Sequence, residues 1–188
     1  MNWFFAITRI AGASFPGASS LVQLQAELGA EALSKRVQCL EDPISTLHED
    51  VPELSKKFYE VLTETDYNKA QFDDDVYSKF SRAIAVLDKK GVIECQHALG
   101  THNPVWIYIN DPSYIMYLCE RFGDSKSMEA LVQRLESCKR GEWLDGKIIA
   151  KELKLPRPVV AACFDIYEAK GFGERSARVG STQYCGRA

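Results

Sequence analysis

The fold of this chain is decided by residues 145–172, which read DGKIIAKELKLPRPVVAACFDIYEAKGF. Asp145 is a residue type that caps helix N-termini, and apolar residues at helical spacing follow it as far as Leu155. Pro156 interrupts this pattern and opens a second one, which extends to Gly171, a residue type that favours the left-handed conformation at helix C-termini. The stretch therefore predicts two consecutive helices joined by a tight turn.

The flanking residues predict the rest of a small unit. A helix is predicted over residues 127–138, a short strand within residues 141–146, and two short strands around residues 179–181. The predicted order is therefore helix, strand, helix, helix and hairpin. This order resembles a winged helix. The run I-A-x-x-L-x-L at residues 149–155 and the lysine-glycine ending at residues 170–171 are similar to those of bacterial winged-helix regulators.

An earlier part of the chain shows a related plan. Asp50 and Glu53 have the spacing of a capping box at the start of one predicted helix. A second helix ends at the run KKG at residues 89–91, and strands are predicted over residues 92–95 and 105–109. The shared ending resembles the third helix and hairpin of another winged helix.

We therefore expect a mainly α protein with small β-hairpins, in the α+β class. It would consist of an N-terminal helical segment (1–49), a first winged-helix-like domain (50–123) and a second winged-helix domain (124–188). The leucines at positions 21, 24 and 28 form an apolar stripe in the N-terminal segment, which predicts helix pairing in a homodimer. A less favoured alternative is a surface membrane anchor, formed by the apolar residues at positions 3, 4, 5, 7 and 10.

The resemblance implies where DNA would be contacted, because a DNA-reading winged helix places its third helix in the major groove and its hairpin on phosphates. In the first domain, the outward part of that helix carries residues able to contact bases or phosphates: Tyr77, Ser78, Lys79, Ser81 and Arg82. The hairpin over residues 96–104 has no Lys or Arg, and three acidic residues at 73–75 precede the helix. These two features oppose DNA binding.

The second domain shows the opposite distribution. Its third helix has small or apolar residues at the equivalent outward positions, which predicts a surface for another protein: Pro158, Val159, Ala161 and Ala162. Its cations lie beside that helix and in the hairpin, and they are candidate phosphate contacts: Arg157, Arg175 and Arg178.

Composition bounds the remaining possibilities. The chain has 188 residues, 46% of them hydrophobic and 26% charged, as in ordinary globular proteins, and no apolar run approaches the roughly 20 residues of a membrane-spanning helix. The net charge of -3 is uneven, with -6 in residues 1–123 and +3 in residues 124–188. We expect a cytoplasmic protein with reduced cysteines.

Two hypotheses follow. The first is a non-enzymatic, dimeric transcriptional regulator that binds double-stranded DNA, and the alternative is a winged-helix module that binds a protein partner without DNA. No catalytic arrangement, cofactor motif or complete metal-ligand set is evident. Cys95, His97 and His102 share one predicted hairpin, but they lack a fourth ligand.

Overall fold

The computed structural model describes residues 47–178 and 181–186. These residues form six helices and two small antiparallel sheets of three strands each, which confirms the expected α+β class. Among the described residues, no helix is both long enough and apolar enough to cross a membrane. The predicted N-terminal helical segment and its pairing role lie outside the described residues, apart from residues 47–49.

The first group of elements, which we call the N-terminal unit, begins with α1 (Val51–Thr65) and β1 (Lys69–Ala70). Helix α2 (Asp74–Lys89) follows, and β2 (Glu94–Gln96) and β3 (Trp106–Tyr108) form a hairpin. The sheet order is β1-β3-β2, so the first strand pairs with the last.

The start of α1 differs from the predicted capping box. The Asp50 side chain makes no capping hydrogen bond, and Glu53 pairs instead with Lys79 of α2 at 2.6 Å. The backbone of Asp50 is helical rather than extended, as it would be in a capping residue, and the Asp50 amide donates to His48 Nδ1 at 3.2 Å. The capping-box prediction is therefore wrong, and a neighbouring histidine satisfies the amide.

Helix α3 (Pro112–Phe122) follows the hairpin and packs against both α1 and the later helix α6 (Arg157–Ala169). Asp111 caps it by accepting the Tyr114 amide at 2.8 Å. Its residues from Tyr114 to Cys119 are all buried. One buried contact joins the Tyr114 hydroxyl to the Ser55 hydroxyl at 2.8 Å. The buried side chains of α3 therefore join the apolar residues before and after this helix into one continuous core.

The C-terminal unit consists of α4 (Ser125–Glu136), β4 (Trp143–Asp145), α5 (Gly146–Leu153), α6, β5 (Gly173–Arg178) and β6 (Ser181–Gly186). The order helix, strand, helix, helix, hairpin is the one that the sequence predicts for this region. Its sheet order is β4-β6-β5, with Leu144 opposite Tyr184.

Local chemistry explains these boundaries. The Asp145 carboxylate accepts the amides of Lys147 and Ile148 at 2.8 and 3.2 Å, so α5 begins directly after β4. Lys154 is left-handed with φ 53° and ends α5. The ring of Tyr184 packs 5.4 Å from that of Phe164, which holds the hairpin on α6. The left-handed turn at Lys154 and the contact between Phe164 and Tyr184 therefore position α6 against the sheet.

Candidate functional site

The strongest candidate surface for DNA is the outward side of α2, which we call the α2 face and define as Ser78, Lys79, Ser81 and Arg82. All four residues are exposed. The opposite side of the helix is anchored in the core by Phe80, with no exposed surface, and by other apolar residues at helical spacing. Amphipathic packing therefore orients the α2 face toward solvent.

Tyr77 does not belong to the α2 face. It is 4% exposed, and its hydroxyl accepts a hydrogen bond from the Phe72 amide at 3.3 Å. Its ring packs edge-on against Phe72 with 6.0 Å between centroids, and burial raises the pKa of its hydroxyl. The prediction of an exposed Tyr77 is wrong because the residue lies one turn before Phe80 on the apolar side.

The charges around the α2 face are partly neutralised. Lys79 Nζ lies 2.6 Å from Glu53 Oε1, and both side chains are about half exposed. Arg82 forms no ion pair with any described residue. The Asp73 carboxylate caps the Val76 amide at 2.9 Å. Arg82 is therefore the cation on this face that is free to contact an external anion.

The hairpin lies beside the start of α2. Asn103 Nδ2 donates to Asp74 Oδ1 at 2.8 Å, which ties the β2–β3 loop to the first turn of the helix. The loop exposes His97, His102 and Leu99. This hydrogen bond holds the loop and the start of α2 together. A surface that binds a partner of fixed shape requires such a rigid arrangement.

Arg157, predicted to contact phosphate, is bound within the chain. Its amide donates to Asp66 Oδ1 at 2.6 Å, and its Nε donates to Asp66 Oδ2. Its guanidinium also lies 5.3 Å from the ring centroid of Tyr67. Asp66 is left-handed with φ 59°, at the end of α1. Asp66 therefore takes the place that an external anion would have at the start of α6.

Arg175 is also bound within the chain. Its Nη1 donates to Asp165 Oδ1 on α6, and its amide donates to Glu168 Oε1 at 2.7 Å. Burial raises the pKa of Asp165, although the Arg175 charge opposes the shift. The side chain thus faces α6 rather than solvent. Arg178 lies in β5 opposite Ser181, and its side chain is outside the described residues.

The predicted protein-binding surface on α6 is not exposed as expected. Val159 has no exposed surface and Ala162 is 2% exposed, because α3 packs against this helix. Pro158 and Ala161 are half-buried and line a cleft between the two units. The exposure prediction is therefore wrong for Val159 and Ala162, since the chain itself covers them.

The cleft has a volume of about 440 Å³. Tyr67, Asn68 and Asn110 line one side, while Lys147 and Thr182 line the other. Sequence reasoning missed this site, since its walls come from segments far apart in the chain. Several residues for which the sequence predicts other roles line it as well: Arg157, Pro158, Ala161, Ala162 and Arg175.

The hairpin residues Cys95, His97 and His102, which the sequence places together, lie in the described part of the chain. No group of three His, Cys, Asp or Glu side chains there is arranged to hold a metal ion. Cys95 is half-buried, and burial raises the pKa of its thiol to about 12. His97 and His102 are exposed in the loop of the same hairpin.

Comparison of the chain with protein-family models, with curated proteins and with solved structures gave no match.

Proposed function

We propose that this chain is a non-enzymatic winged-helix protein that binds double-stranded DNA through the α2 face. The observation that carries the proposal is the exposure of Ser78, Ser81 and Arg82 on a helix that a hairpin follows and whose other side lies in the core. Hydroxyl and guanidinium groups are donors suited to base edges and phosphate oxygens.

The order of elements supports the winged-helix part of the proposal. In the C-terminal unit, a helix, a strand, two helices and a hairpin follow in order, and the first strand pairs with the last. The N-terminal unit has the same strand order, β1-β3-β2, with one helix between β1 and the hairpin. In both units the helix before the hairpin takes the place of a recognition helix.

The two units differ in whether that helix is accessible. The beginning of α6 is occupied by the contact between Asp66 and Arg157, and Val159 in its first turn is buried. The α2 face, in contrast, is exposed. The proposal therefore assigns DNA contact to α2, and it assigns to α6 a packing role between the units.

The charge of the α2 face determines how tightly we expect DNA to bind. Lys79 is paired with Glu53, which leaves Arg82 as the unpaired cation of the α2 face. Exposed Asp75 lies at the start of the same helix. With so few phosphate contacts, we expect binding in the range of non-specific complexes, with a Kd of about 10⁻⁴ to 10⁻⁶ M at physiological salt.

A second candidate is a protein-binding module. Three large apolar side chains of the C-terminal unit are about half exposed: Trp143 at 51%, Ile148 at 56% and Phe172 at 47%. Exposed aromatic residues of this kind are enriched in protein interfaces. In this case the α2 face would be an ordinary solvated helix surface.

The test is binding of a fluorescently labelled duplex of about 20 base pairs, or roughly two helical turns, followed by anisotropy at several salt concentrations. Wild-type protein should bind at low salt and lose affinity as salt rises. Arg82→Ala should weaken binding and reduce the slope of log K against log salt by about 0.9 for each phosphate that the variant no longer neutralises.

Arg121→Ala is the matched control, since Arg121 is an exposed arginine on α3. It should leave both affinity and slope unchanged. Absence of binding at low salt would remove the DNA proposal and leave the protein-binding candidate. Equal losses of affinity in Arg82→Ala and Arg121→Ala would show that the α2 face is not a specific DNA-binding surface.

A further inference from the structure

We propose that the cleft between the two units binds a small organic anion that also carries a hydroxyl or amino donor. This inference goes beyond DNA binding and does not depend on it. The volume of about 440 Å³ lies within the range of about 300 to 1,000 Å³ found for small-molecule sites, which often lie between structural units.

The charges of the lining favour an anion. The cleft is lined by three cationic side chains and two carboxylates. Arg157 is paired with Asp66 and Arg175 with Asp165, so four of these charges neutralise one another. Lys147 forms no ion pair with a described residue, and it is exposed. The cleft therefore carries one uncompensated positive charge, at Lys147.

The position of Lys147 is fixed although its ammonium group is free. Its amide donates to Asp145 at 2.8 Å, and Asp145 also accepts from the Ser181 hydroxyl at 2.8 Å. Strand β4, helix α5 and the hairpin thus hold the base of this side chain. The anchored backbone keeps this lysine beside the cleft, and its flexible side chain can bring the charge to a carboxylate or phosphate group.

The opposite wall supplies a hydrogen-bond acceptor. Asn68 Nδ2 donates to Asn110 Oδ1 at 2.8 Å, and it also lies 3.5 Å from the Ile109 carbonyl oxygen. This arrangement orients the Asn68 amide and leaves its own oxygen to accept a hydrogen bond from a ligand. Tyr67, which is 61% exposed, lies beside it and provides an apolar ring surface.

The ligand would therefore place its anionic group at Lys147 and its donor at Asn68. These residues belong to different units, so an occupied cleft would join the two units more tightly. The anionic group can be a carboxylate or a phosphate ester, because both accept charge-assisted hydrogen bonds from lysine.

The experiment uses two anionic probes, AMP and para-hydroxybenzoate, with adenosine and para-hydroxybenzamide as their neutral analogues. Amide chemical shifts of the full chain are followed by NMR at constant ionic strength. At least one anion should shift the amides of Tyr67, Asn68, Lys147 and Thr182 saturably, while its neutral analogue should not. The anion that binds identifies the phosphate or the carboxylate class.

Lys147→Gln should raise the Kd of that probe about ten-fold or more, which is the usual effect of losing a charge-assisted hydrogen bond. Lys151→Gln is the control, because Lys151 is exposed on the same helix but does not line the cleft. It should leave the Kd unchanged. The proposal is overturned if neither anion shifts these amides at millimolar concentration, or if both variants change the Kd equally.

Discussion

Replacement of Val159 by aspartate tests whether the chain itself covers α6. Val159 has no exposed surface, and it lies on a helix that packs against α3, α5 and the C-terminal hairpin. If the side chain were instead on a free surface, Val159→Asp would leave the fold intact and would affect a partner alone. The structure predicts the opposite result, which is a large loss of stability.

Two terms contribute to the expected loss of folding stability in Val159→Asp. Losing the buried valine removes about 1.5 to 3 kcal/mol of hydrophobic stabilisation. An aspartate at the same position must also become neutral, and raising its pKa by roughly three units from about 3.9 costs about 4 kcal/mol. The sum is about 5.5 to 7 kcal/mol, which is a large part of the total stability of about 5 to 15 kcal/mol that is typical of folded proteins.

Urea unfolding followed by circular dichroism and tryptophan fluorescence measures this cost. Val159→Asp should lower the free energy of unfolding by about 5.5 to 7 kcal/mol, or unfold the protein without urea if the wild type is less stable than that. Ala169→Asp is the control, since Ala169 is exposed at the end of the same helix, and its effect should stay within about 1 kcal/mol. A Val159→Asp protein whose free energy of unfolding lies within about 1 kcal/mol of the wild-type value would refute the burial of Val159.

Three further predictions concern other parts of the fold. In Gly173→Ala, the added Cβ would overlap the Tyr184 ring, so urea unfolding should show a loss of about 1 to 3 kcal/mol, and an unchanged midpoint would contradict the hairpin register. The Ser181 hydroxyl and the helix amides lower the pKa of Asp145. Its contribution to stability is therefore present above its unfolded pKa of about 3.9 and lost as pH falls through the lower folded value, so Asp145→Asn should flatten the acid limb of a stability-pH curve. Burial raises the pKa of the Cys119 thiol to about 12, so iodoacetamide at about pH 8 should modify it after unfolding but not before, as mass spectrometry of peptides would show.

Sequence patterns predict the C-terminal unit well because the residues that begin and end its helices act on their neighbours in the sequence. Asp145 caps a helix within three residues, and Gly171 has the positive φ of 78° that ends α6. Such signals depend on neighbouring residues alone. The order of helices and strands in this region can therefore be predicted without knowledge of the tertiary structure.

The sequence does not predict helix α3, and the reason is physical. It is buried on nearly all sides from Tyr114 to Cys119, between the two units, so it has no alternation of apolar and polar residues to mark it. The same packing explains the error at Val159. Sequence reasoning assigns one buried side to α6, whereas α6 packs against the sheet on one side and against α3 on another.

The charged residues show a second limit of sequence reasoning. The sequence predicts that Arg157 binds phosphate, but Arg157 pairs with Asp66, which lies 91 positions away in the sequence. Arg175 pairs with Asp165 on a neighbouring element. A basic residue can be identified from sequence alone, but whether its charge is already neutralised depends on tertiary contacts. The DNA-binding and homodimer expectations remain predictions.

The most direct test of the α2 proposal is to map amide chemical shifts of the full chain during titration with duplex DNA at low salt. We expect the changes to concentrate at Ser78, Lys79, Ser81 and Arg82, and to disappear as salt is raised. Changes confined to the C-terminal unit, or the absence of any change at low salt, would contradict the assignment of α2 as the helix that contacts DNA.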